Sequence, residues 1–116
     1  MTRAVINAGI CGMATTVEVV KIGKQQVGIK ITSDCEMVAK MNGTLAKVNL
    51  RKAFKTLTDS IVYKCASECC LHTVCPVPMA ILKAIEIEAG LALPQPVLIN
   101  FETALQRDNQ SQLSNG

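Results

Sequence analysis

Between residues 27 and 32 the chain alternates strictly, with Val27, Ile29 and Ile31 set against Gly28, Lys30 and Thr32. Successive side chains of an extended strand point to opposite faces, so this run buries one face and wets the other only as a β-strand. Ahead of it, Gly23-Lys24-Gln25-Gln26 reads as a hairpin connection from a strand over Thr15 to Ile22. The Gly9-Ile10-Cys11-Gly12 turn ties that strand to a first one over Thr2 to Asn7. The expected fold class is α+β, an N-terminal antiparallel sheet with helices packed on one face.

The helical signals follow the sheet. Ser33-Asp34-Cys35-Glu36 fits a capping box, with Cys35 in the first turn of a helix that carries Met37, Val38 and Met41 and stops near Asn42-Gly43. Leu50, Phe54, Leu57 and Ile61 recur at helical spacing with a break around Thr58-Asp59-Ser60, which predicts two short helices. Cys75-Pro76-Val77-Pro78 opens the strongest helix, because proline is tolerated where the first-turn amides have no partner. Its buried face is Ile81, Leu82, Ile85 and Ala89, and Gly90 ends it. Pro94 and Pro96 bracket a loop, after which Val97, Ile99 and Phe101 alternate as a last strand. The stretch from Cys65 to Cys75 has no periodicity that assigns it. One domain over residues 1–105 is expected, followed by a mobile polar tail over 106–116.

Composition narrows the function classes. Apolar residues make up 49% of the chain, yet Phe54, Tyr63 and Phe101 are its only aromatics, so the core must be aliphatic. The net charge of +3 comes from scattered basic residues, and stacking platforms are absent, which argues against a nucleic-acid partner. No apolar run approaches the roughly 18 residues of a membrane span. Asn7, Gly9 and Gly12 interrupt any secretory h-region, so a cytoplasmic protein with reduced cysteines is expected. Walker, Rossmann, nucleophile-elbow and zincin motifs are missing, which turns the reading away from an enzyme.

Cysteine usage is the outlier: Cys11, Cys35, Cys65, Cys69, Cys70 and Cys75. Helix starts present unpaired amides and a positive dipole end, which favour a thiolate over a thiol, and Cys35 and Cys75 fall at such starts. Three thiolates plus one more donor make a tetrahedral set suited to zinc or to part of an iron–sulfur cluster. Cys69, Cys70 and His72, the sole histidine, are the neighbouring candidates for the extra donor. A lone cysteine is equally a small buried hydrophobe, and the chain could be a plain interaction module with its thiols as filler.

The order of Cys11-Gly12 before a hairpin, Ser33-Asp34-Cys35 at a helix start and Cys75 at the start of the long helix resembles iron–sulfur cluster scaffolds of the IscU type and the N-terminal domain of NifU. The gaps of 24 and 40 residues suit that architecture. The resemblance implies an IscU/SufE-like fold, an iron–sulfur cluster or zinc on Cys11, Cys35 and Cys75, and partners that donate sulfur and accept clusters. A homodimer is compatible with it. Met13 stands where that family has Asp, and Val74 where it has His, so the fourth ligand does not transfer. Cys75-Pro76-Val77-Pro78 is also similar to the Cys-Pro-x-Pro element of TusA-type sulfur carriers, which implies a persulfide on Cys75. Together with Asn7-Ala8-Gly9-Ile10-Cys11-Gly12, that element also resembles a group of short prokaryotic proteins of unassigned function.

Overall fold

The computed structural model describes residues 1–104. Strands β1 (Thr2–Asn7), β2 (Ala14–Gly23) and β3 (Gln26–Ser33) form an antiparallel meander. The chain then passes through α1 (Glu36–Ala39) and α2 (Asn42–Leu45) to β4 (Lys47–Asn49). After β4 come α3 (Leu50–Ala53), α4 (Ile61–Glu68) and α5 (Val77–Glu88). The four strands lie in the order β1-β2-β3-β4. The fold is therefore α+β with a four-stranded antiparallel sheet, as the alternation around Ile29 requires.

The inward residues of that alternation, Val27, Ile29 and Ile31, are buried with Val17 and Val19 on the neighbouring strand. Helices cover this face, and Ile81 and Ile85 of α5 are fully enclosed. Phe101 remains 82% exposed and Phe54 is exposed as well, so the interior is aliphatic. The opposite sheet face is open and carries Val5, Val20 and Lys30.

The far side of β3 is closed by three different devices. β4 pairs with its first part, from Gln26 to Gly28. The Ile29 amide then donates to the Ala46 carbonyl at 3.0 Å. Finally the Asn42 side chain accepts from the Ile31 amide at 2.8 Å and donates to the Ile31 carbonyl at 2.7 Å, taking the place of a strand partner.

Four local expectations are corrected. Ser33 is the last residue of β3 and no capping box forms; its hydroxyl accepts from the Cys35 amide at 3.1 Å and shares a hydrogen bond with Thr15 at 2.7 Å. Cys35 consequently occupies the N-cap of α1, in extended conformation, just before the first turn. The chain does not leave helical conformation at Asn42-Gly43, because the Asn42 bonds to β3 hold those residues as the start of α2. The last strand is absent among the described residues. Val97, Ile99 and Phe101 have the alternation of a strand and no ladder to join, and all three are exposed. The break near Thr58-Asp59-Ser60 does separate two short helices. The expected polar tail over 106–116 lies outside the described residues.

Candidate functional site

The cysteines are distributed by the ends of the secondary structure. β1 finishes at Asn7 opposite Ala14, and Cys11 is exposed in the 3-10 turn that joins them. Gly9 and Gly12 there have φ of 84° and 68°, the left-handed region that a side chain disfavours, which explains the glycines flanking Cys11. Thr15 is opposite Ser33, and the Asp34 amide donates to the Ala14 carbonyl at 3.3 Å, so the half-buried Cys35 emerges at this same end of the sheet.

Helix α5 is oriented by its last turn. The Glu88 carboxylate accepts from the Thr2 hydroxyl at 2.8 Å and from the Lys21 amide at 2.9 Å, at the opposite end of β1 and β2. Twelve helical residues span about 18 Å and a six-residue strand about 20 Å, and α5 packs on β1 and β2. The helix therefore runs back from Glu88 toward the Cys11 turn, and its start brings the half-buried Cys75 to that end. Its first amides are partly eliminated by Pro76 and Pro78. The Cys75 amide donates to the His72 carbonyl at 3.0 Å, closing a tight turn.

The remaining cysteines belong to α4. Cys65 is 1% exposed, its thiol 3.9 Å from the Met41 carbonyl. Burial pushes this thiol up to about 11, with the Thr44 side chain opposing the shift and the neighbouring Cys69 thiol adding to it. Cys69 caps α4 and is half-buried. Cys70 is exposed with φ 61°, the sole non-glycine residue at positive φ among those described. The Leu71 amide reaches the Ala66 carbonyl at 3.0 Å and the Cys70 amide reaches that of Ser67 at 3.1 Å, a Schellman closure with cysteine where glycine is usual. His72 follows, exposed, in the turn to α5.

Among the described residues no three His, Cys, Asp or Glu side chains are placed to hold one metal ion together. Cys11, Cys35 and Cys75 share an end of the sheet without forming a ready ligand cage, and Cys69, Cys70 and His72 do not complete one.

Sequence reasoning missed two features. The Cys65 and Cys69 thiols are neighbours, which the four-residue spacing would have announced had that stretch been read as helix. The cysteine-bearing end also carries bare apolar side chains: Ile10 is fully exposed, Val74 is 89% exposed and Met13 is exposed too. Their only sequence signal is that each adjoins a turn.

Fold and site together define a small α+β domain with several partly accessible thiols, and among the described residues no helix is long and apolar enough to cross a membrane. Residues 2–101 match the model of a protein family described as a family of unknown function (DUF6951), and the chain belongs to that family. No curated protein and no solved structure matches it.

Proposed function

We propose that the protein handles sulfur through a single thiol, with Cys75 as the carrier. The observation that carries this reading is the position of Cys75: half-exposed, at the head of the longest helix, next to the bare side chain of Val74. A carrier needs one accessible sulfur and a surface on which donor and acceptor proteins dock in turn, and it needs no preformed ligand cage. Ile10, Met13 and Val74 supply apolar contact around that end.

The step is an exchange. The Cys75 thiolate attacks the outer sulfur of a donor persulfide, the sulfur–sulfur bond of the donor breaks, and the donor leaves as a thiolate. Cys75 is left as a persulfide, with no net oxidation. A reducing compartment such as the cytoplasm suits this chemistry and suits the six unpaired thiols.

Incubation with a low-molecular-weight persulfide, followed by peptide mass spectrometry, is expected to find one added sulfur on Cys75. Addition confined to Cys11 or Cys70, the exposed thiols, would overturn the assignment. A second reading, an IscU-like scaffold that receives an iron–sulfur cluster as cargo, is supported by the common end shared by Cys11, Cys35 and Cys75. Anaerobic incubation with iron and sulfide would favour it by producing visible absorption that Cys35→Ser abolishes.

A further inference from the structure

After Gly90 the chain leaves the domain as an apolar arm. Leu93, Leu98 and Phe101 are 78%, 81% and 82% exposed, and Ile99 is 61% exposed. None of them joins the core. Pro94 and Pro96 hold the connection extended and deprive it of two donors. The described molecule measures 53 × 30 × 25 Å with a radius of gyration of 16.3 Å, against about 13 Å for a compact domain of this length. The family match runs through this arm and ends at Phe101, so the arm belongs to the shared unit.

The sheet has two edge strands, β1 and the three-residue β4, and of the two only β1 is long enough for such a segment. β3 is closed along its far side by β4, Ala46 and Asn42, whereas β1 is an edge strand whose backbone, among the described residues, bonds only to β2. Its outward side chain Val5 is 74% exposed.

We propose that residues Val97–Phe101 of one copy add as a strand to β1 of a second copy, reciprocally, forming a two-fold dimer. The alternation of Val97, Ile99 and Phe101 is that of a strand awaiting a partner, and donor and acceptor are carried by the same chain. On the open face such an arm sets Ile99 beside Val5, so each copy partly covers exposed apolar side chains of the other. Among the described residues no backbone hydrogen bond joins Val97–Phe101 to the β1 of the same copy.

The full-length chain is tested by sedimentation from about 1 to about 500 µM, alongside Ile99→Pro, which removes a ladder amide from a segment outside the core. The wild type is expected to double in mass with concentration while Ile99→Pro stays monomeric with unchanged circular dichroism. Mixed isotope-labelled and unlabelled protein should give intermolecular contacts between the Ile99 and Val5 methyl groups. A wild type that stays monomeric, with the arm on its own β1 or free, would overturn the proposal; so would a dimer that survives Ile99→Pro.

Discussion

Two residues one turn past a helix show how much a single backbone angle decides. Gly90 closes α5 at φ 77° and Cys70 closes α4 at φ 61°, each with its amide returned to the helix by the same pair of bonds. Glycine visits this region freely, whereas a residue with a Cβ pays roughly 1 kcal/mol or more. Cys70 is exposed and outside the core, and glycine would lose only the 3.9 Å contact of its thiol with the Glu68 carbonyl. Cys70→Gly is therefore expected to raise the urea unfolding free energy by about 0.5 kcal/mol, the relief of strain being partly offset by the greater freedom of glycine in the unfolded chain. An unchanged or lower stability would mean that the thiol itself contributes to the fold. The strain could not be read from the sequence, since Cys69-Cys70 gives no sign of which residue turns left-handed.

At the scale of elements, α5 is anchored against its own dipole. Glu88 is a negative charge at the negative end of the helix, an unfavourable placement by itself. The Lys21 amide and then the Thr2 hydroxyl hold its carboxyl below the usual carboxylate range, and the terminal ammonium lies 3.4 Å away. Because the folded value is depressed, the stabilisation is complete above the unfolded value of about 4.3 and is lost as pH falls through the folded one. Glu88→Gln is expected to lower the stability at neutral pH by about 1 kcal/mol and to flatten its decline in acid, both visible in thermal melts across pH. The sequence announced α5 through Pro76, Pro78 and Gly90, β3 through its alternation, and β1 and β2 through the turns over residues 9–12 and 23–26. It did not announce β4, whose three residues are defined by pairing with Gln26 to Gly28 rather than by any pattern of their own. The expected stop at Asn42-Gly43 failed for the same reason: local propensity yields when a side chain finds a tertiary partner.

At the scale of the whole molecule, the six thiols report on how the protein opens. Cys11 and Cys70 are exposed, Cys35, Cys69 and Cys75 are intermediate, and Cys65 is enclosed with its thiol raised to about 11. Timed alkylation followed by mass spectrometry is expected to modify Cys11 and Cys70 first and Cys65 last, at the rate of global unfolding. Early labelling of Cys65 would show that α4 separates from the sheet on its own. An expected common end for Cys11, Cys35 and Cys75 was legible in their spacing relative to the hairpin and the long helix. That they stop short of a common ligand set was not, because side-chain approach depends on packing that no spacing encodes.

The Asn42 amide that stands in for a strand beside Ile31 reaches beyond local bonding. With that flank occupied, Ile31 offers no main-chain group to an incoming strand on the far side of β3. Main-chain stacking through that part of β3 is thereby blocked.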